Sequence, residues 1–575
     1  MEFNLFALTC LAIIACVYMD DLPLPCSSEI YCYGRIIDNV MKFHIFNDSK
    51  TYVDLKLKVA PEETLKLFDE FMTANNNVTK ELLTAWVETN FDPPGSEIEP
   101  VKPVDHKSSV ETKIFNRLSD KDLQKFAGDL NDIWPTLSWR MKAEVKEHPE
   151  FTSIIYVPNP FIIAGGRFLE FYYWDSYWIV KGLLVCEMYE TTRGILENFL
   201  SVIDRYGFIP NGGRVYYLAR SHPPLLSAMI KSYVDATNDV SFAIKSIEML
   251  VREFEYFMTT KMVTVKGHRL ARYIDNSTGP RPESYREDVK IGEYYETEEE
   301  RQNFYSECKA GGESGMDFSS RWFINEDGTN IGSLRNMKVR SVIAVELNAM
   351  LHWNAKIIAE FYGHAGNTAK QAEFEKKAEE IMIAVNEVLW DDEMGCWLDY
   401  DLINQKRRPY FTPTNLSPLW TNCFNQSRST HIADKVLMYL NNTGVDKYPG
   451  GVPNSMYASG EQWDFPNVWA PMQYVLIFGL ENLKDERTSE LAFKWAERWV
   501  RSNYVAFRDY GAMYEKYTAT EFGVPGGGGE YAVQTGFGWS NGAVLDILDR
   551  YADKFNKGEK SNEIIKLPLE FDYYK

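Results

Sequence analysis

The sequence predicts a mostly α fold on two observations. Apolar residues recur at three- and four-residue spacing over several long stretches, and alternating or glycine-bounded β runs are scarce. The stretch 63–91 carries Leu65, Leu67, Phe68 and Phe71 on one side, and a proline-rich connection occupies 92–106. Helical stretches follow at 183–206, 225–234 and 243–259. From Ser341 to Phe361, Val345, Met350, Leu351, Ile357 and Ile358 repeat with helical period, and His364 and Gly366 close the run. Asn367 is suited to cap the next helix, where Ala369, Phe374, Ala378, Ile381 and Val385 recur. Further helices are predicted at 431–440, 470–480, 489–507 and 540–555. This patterning supports a large helical assembly but neither counts its helices nor closes them into a ring.

The 575 residues suffice for one large core or a few domains; 45% are apolar and 25% charged, as in a folded chain. The aromatic fraction of 14%, with 15 Trp and 34 Tyr, supplies flat surfaces for core packing or for stacking on sugars. A net charge of −21 argues against nucleic acid or an anionic membrane as partner.

Residues 5–17 are almost wholly apolar, about the length of a signal-peptide core and too short to span a bilayer. The expected division is a signal peptide at 1–19, an amino-terminal segment at 20–60, one catalytic domain at 61–556 and a tail at 557–575. A buried amino-terminal element is the rival reading of the first stretch. Export makes a small-loop disulfide between Cys26 and Cys32 plausible, leaving Cys186, Cys308, Cys396 and Cys423 free and buried. N-glycosylation sequons at Asn47, Asn77, Asn276, Asn425 and Asn441 suit a secreted, extracellular protein; Asn415 is poorer because Pro418 follows it closely. No apolar tail ends the sequence, so no transmembrane anchor is expected.

The unusual residues cluster in short segments. Residues 164–177 place paired glycines, Arg167 and Asp175 among several rings. That set suits a polyol held by hydrogen bonds and ring faces, or an aromatic core around an internal Arg167–Asp175 pair. Asn211, Arg220, Arg281 and Glu283 stand in stiff polar loops of the same ambiguous kind, able to bind hydroxyls or to tie loops together. Asp317 lies in Gly315-Met316-Asp317-Phe318-Ser319-Ser320-Arg321-Trp322, and Glu515 in Tyr514-Glu515-Lys516-Tyr517, upstream of the glycines 526–529 and Glu530. That glycine run lacks a following Lys-Ser/Thr, so it is not a phosphate-cradling loop. The eight histidines are scattered without a His-Glu-x-x-His pair, no Gly-x-Ser-x-Gly elbow is present, and neither metal nor cofactor is called for.

With these residues and with Gln462-Trp463-Asp464, Pro466-Asn467 and Trp469-Ala470-Pro471, the chain resembles the trehalases of glycoside hydrolase family 37, above all secreted insect enzymes, over roughly 25–556. The resemblance implies an (α/α)6 toroid, or barrel, with long active-site loops over an acidic pocket. It assigns Asp317 as general acid and Glu515 as general base for inverting hydrolysis of α,α-trehalose by water. It implies sugar contacts from Arg167, Phe168, Tyr172, Trp174, Asp175, Asn211, Arg220, Arg281 and Glu283, with Trp463, Trp469 and Glu530 completing the pocket. An attacking water between the carboxyls requires a separation of about 6.5 to 9.5 Å.

Five residues depart from the family pattern near that pocket: Met316 for Trp, Ala164 for Pro, Val468 for Gly, His222 for Gln, and Gly213 for a larger polar residue. Val468 would be strained if its position needed a positive φ. Two alternatives follow from these changes, a sugar-binding protein that has lost efficient catalysis and a hydrolase of another small glucoside.

Overall fold

A helix that is apolar all round has to be buried on every side, whereas an amphipathic one can face water, and both kinds are present. The computed structural model describes residues 24–557; the expected signal peptide lies outside them, as does all but the first residue of the tail. In chain order the principal helices are α1 (Lys121–Leu137), α2 (Asp175–Val185), α3 (Tyr189–Tyr206), α4 (Leu226–Thr237), α5 (Val240–Thr260), α6 (Glu298–Ser314), α7 (Val345–His364), α8 (Thr368–Val388), α9 (Ser417–Trp420), α10 (Ser429–Thr443), α11 (Ala470–Asn482), α12 (Glu486–Tyr510) and α13 (Gly538–Arg550). In α11 every residue from Ala470 to Leu480 is buried, and in α13 every residue from Gly538 to Leu548. By contrast α8 buries one stripe, Phe374, Ala378, Ile381, Ala384, Val385 and Val388, and exposes Lys376, Glu379 and Glu380.

The buried helices touch in sequence: α2 packs on α4, α4 on α7, α7 on α9, α9 on α11, α11 on α13, and α13 on α2. Outside them α3 lies against α2 and α4, α5 against α4 and α7, α8 against α7, and α12 against α11 and α13. The strands are short. Among them β1 (Asn467–Trp469) and β2 (Lys516–Thr518) pair antiparallel with Trp469 opposite Lys516.

The approach of α2 to α13 depends on Gly182 and Gly542. A Cβ on Gly542 would stand 1.8 Å from the Trp178 carbonyl oxygen, which is backbone and cannot turn aside. Gly542→Ala is therefore expected to push the two helices apart at a cost of about 1–3 kcal/mol or more. A melting curve that matches the wild type would contradict that close approach.

Several predicted helices are split or shifted. The stretch 63–91 is two helices, Pro61–Ala74 and Lys80–Asn90, the second capped by Thr79, whose hydroxyl accepts from the Leu82 N–H. Helicity breaks again between α2 and α3, where Glu187 takes a φ of 59°. The prediction from Ser341 becomes α7 from Val345, and Asn367 caps α8 by accepting from the Lys370 N–H. Cys26 and Cys32 form the expected disulfide, and Cys186, Cys308, Cys396 and Cys423 are free and buried. Among the described residues no helix is long and apolar enough to cross a membrane.

The connections that enter α2, α4, α7, α11 and α13 carry nearly all the segments singled out in the sequence. Arg281 and Glu283 come from the stretch between α5 and α6.

Candidate active site

Helix α6 ends at Gly315, whose left-handed φ of 70° turns the chain out of the helix two residues before Asp317. The Asp317 side chain is 34% exposed and lines a cavity of about 670 Å³, its open mouth included. Burial pushes the Asp317 carboxyl up to about 7; Arg281 opposes the shift and Glu530 adds to it. Arg281 opposes the shift without reversing it, and its hydrogen bonds go elsewhere. Its guanidinium donates to both Asp288 oxygens, from Nη2 at 2.7 Å and Nε at 3.0 Å, and to Glu530 at 2.8 Å, while Asp317 Oδ2 is 3.9 Å away.

Glu515 stands directly before β2 and is 2% exposed. Its Oε1 accepts from the Tyr531 hydroxyl at 2.8 Å, and its Oε2 is buried without a hydrogen-bond partner in the protein. Burial raises its carboxyl above the ordinary range, against the lowering effects of Lys516 and of the Tyr531 hydrogen bond. Lys516 is fixed by donating to Gln462 Oε1 at 2.7 Å and to the Gly528 carbonyl at 3.0 Å. The cavity thus holds two carboxyls in unlike settings. One is partly open and beside an already paired arginine; the other is enclosed and next to a fixed ammonium.

The walls are aromatic. Trp463 and Trp469 stack at 3.9 Å with planes 2° apart, and Trp174 lies 5.8 Å from both Trp463 and Trp539. Polar groups break this surface at Asn211, Arg220 and Glu283: Arg220 donates to Asn211 Oδ1 at 3.1 Å and pairs with Glu283. Tyr172 donates to Glu170 at 2.6 Å and shares a 2.8 Å contact with the Tyr217 hydroxyl. Asp175, in the first turn of α2, is held well above the usual carboxylate range by burial, with Glu515 and Asp317 adding to the effect.

Arg167, Phe168, Tyr172, Trp174, Asp175, Asn211, Arg220, Arg281, Glu283, Asp317, Trp463, Trp469, Glu515 and Glu530 all line this one cavity. The Arg167–Asp175 pair considered from sequence is not formed. Arg167 instead pairs with Asp48, Nε to Oδ2 and Nη2 to Oδ1, both at 2.6 Å. Sequence reasoning missed Tyr217, Tyr531 and Trp539 in the lining, and missed Asp48 behind it. For Tyr531 a signal existed, its place directly after Glu530.

A family model described as Trehalase matches residues 44–552, most of the chain. The chain belongs to the trehalase family. The trehalase of Apis mellifera is 46% identical over 558 residues, 96% of this chain and 89% of that protein. The trehalase of Homo sapiens is 44% identical, over 94% of this chain and 92% of its own length. Among solved structures, the neutral trehalase Nth1 from Saccharomyces cerevisiae aligns with a TM-score of 0.57 at 22% identity, covering 72% of this chain and 81% of that one, and so shares the fold.

The departures from the trehalase pattern are accommodated. Met316 is buried; its carbonyl accepts from Trp322 Nε1 at 3.0 Å and its sulfur lies 3.4 Å from Arg321 Nη1. Val468 sits in β1, outside the left-handed region, so the strain foreseen for a positive φ does not arise. At Gly213 a Cβ would fall 2.6 Å from the Phe171 ring, so the missing side chain leaves room for that ring. The Trp174 N–H points to His222 Nδ1 at 3.4 Å, and burial holds that imidazole neutral. Ala164 is buried on the cavity wall.

Proposed function

We propose that this protein hydrolyses α,α-trehalose to two glucose molecules with inversion, Asp317 acting as general acid and Glu515 as general base. The observation that carries the reading is the pair of unlike carboxyls in one aromatic-walled cavity of a trehalase-family chain. Protonated Asp317 gives its proton to the glycosidic oxygen as the C–O bond breaks. Ionised Glu515 takes a proton from a water that attacks the anomeric carbon from the opposite face. The attacked glucose leaves as the β anomer and the other as the α anomer. Stacked Trp463 and Trp469 offer a flat surface to sugar C–H faces, and Arg220, Asn211 and Asp175 offer hydroxyl partners.

An (α/α)6 toroid is supported by the circuit of contacts from α2 through α4, α7, α9, α11 and α13 back to α2. The proposal places catalysis in the 61–556 domain of a secreted glycoprotein. Exposure of Asn47, Asn77, Asn276, Asn425 and Asn441 supports glycosylation there, while Asn415 is 1% exposed and unsuited to it.

The test is glucose release by the purified protein from trehalose, maltose and sucrose. Turnover of trehalose well above the other two is expected. Preference for another glucoside, or binding of trehalose without turnover, would replace this reading with one of the two alternatives.

The pH profile of kcat/KM follows from the carboxyls. The acid must hold its proton, so activity is expected to fall as pH rises through about 7, where Asp317 ionises. The base must be ionised, so activity also falls as pH drops through the raised pKa of Glu515. A rate that does not fall as pH rises through about 7 would contradict the Asp317 assignment.

A further inference from the structure

We propose that Asp48, in the amino-terminal segment outside the helical circuit, is a positioning residue of the active site that aims Arg167 into the cavity. The inference rests on the trehalase reading and assigns to that site a residue from beyond the 61–556 domain.

The Asp48 carboxylate grips Arg167 through both of its oxygens at 2.6 Å, the fork geometry that fixes a guanidinium in plane as well as in place. An exposed ion pair would count for little. This one is different because the Arg167 side chain is only 18% exposed and lines the cavity. The guanidinium carbon lies 4.7 Å from the Tyr531 ring and 5.2 Å from the Phe168 ring. The Tyr531 hydroxyl in turn donates to Glu515. A continuous contact path therefore runs from Asp48 through Arg167 and Tyr531 to the proposed base.

Asp48 is itself held on both sides. Arg286 donates to the carbonyls of Phe46 and Asn47 at 2.6 and 2.7 Å, and the Ser49 hydroxyl donates to Glu287 at 2.7 Å. Lys50 is buried with its Nζ 2.7 Å from Glu170, the residue that accepts from Tyr172. The carboxylate thus stands on a pinned segment whose neighbours reach the same wall of the cavity. Among the described residues Asp48 is the sole carboxylate paired with Arg167. Without it, the guanidinium keeps its ring contacts but loses the partner that sets its direction.

Arg167 is expected to contact sugar hydroxyls in the bound substrate and in the transition state alike, so its misaiming raises KM more than it lowers kcat. For Asp48→Asn we expect KM for trehalose to rise about tenfold with kcat within about threefold of wild type. Asp48→Ala should give the same pattern. In an Arg167→Lys background, where no fork can form, Asp48→Asn should change KM by less than about twofold, because the two residues act as a unit. The melting temperatures of both Asp48 variants should stay near wild type.

An unchanged KM in Asp48→Asn, an equal KM increase in both backgrounds, or an activity loss that follows a fall in melting temperature would each overturn the inference and leave the trehalase reading standing. A wild-type protein without turnover on trehalose would overturn both.

Discussion

Asp317→Asn is expected to lower kcat on trehalose by about 100- to 10,000-fold, the usual contribution of a positioned general acid. The amide resembles the carboxylic acid in shape but has no acidic proton, so the glycosidic oxygen would leave as an unprotonated alkoxide. The fold should survive the change. The Asp317 side chain is 34% exposed, and among the described residues its one ion pair is the 3.9 Å approach of Arg281, which Asp288 and Glu530 already hold. The melting temperature should therefore stay close to wild type, and the residual activity should lose its decline above about pH 7. A variant with more than about a tenth of wild-type kcat would remove Asp317 from the acid role.

Glu515→Gln is expected to have an effect of the same order, for a different reason. The glutamine carbonyl can still accept from Tyr531, so the hydroxyl that approaches at 2.8 Å keeps a partner. Lost is the negative charge at an enclosed position whose second oxygen has no partner in the protein. Water is then no longer deprotonated as it attacks. The substitution also leaves the buried Lys516 beside a neutral side chain, although Gln462 and the Gly528 carbonyl still accept from it. Substrate binding should persist while turnover falls by about 100-fold or more. Near-normal kcat with a raised KM would mean that Glu515 serves binding and not proton transfer.

The helices were legible where their chemistry is one-sided or uniformly apolar. α11 and α13 are read within a few residues of their observed starts; for α11 the reason is its nearly unbroken apolar run, which has no other stable place than a core. The apolar pattern predicts no helix at α6. It buries Glu307, Lys309 and Glu313 and carries adjacent glycines at 311 and 312, so it shows no apolar stripe. Its start is marked by the Thr297–Glu300 capping box, a signal that was there to find. The break between α2 and α3 was hidden because Cys186 and Met188 continue the apolar pattern across it.

The site shows the same division. The glycine- and ring-rich segment 164–177 and the two carboxylates stood out because such residues seldom occur together without a local reason, and family resemblance then assigned them roles. Asp48 did not stand out. It lies 119 positions from Arg167, and its neighbours suggested only a sequon. Tyr531 adjoins Glu530 in sequence, but nothing there shows that its hydroxyl reaches a carboxylate 16 positions earlier. Contacts of this kind are set by tertiary packing, which periodicity does not encode.

Inversion by Asp317 and Glu515 is tested most directly by proton NMR of the glucose anomers in the first moments of trehalose hydrolysis, before mutarotation mixes them. Inversion gives α- and β-glucose in nearly equal amounts, one from each half of the disaccharide. Early product consisting of α-glucose alone would contradict it.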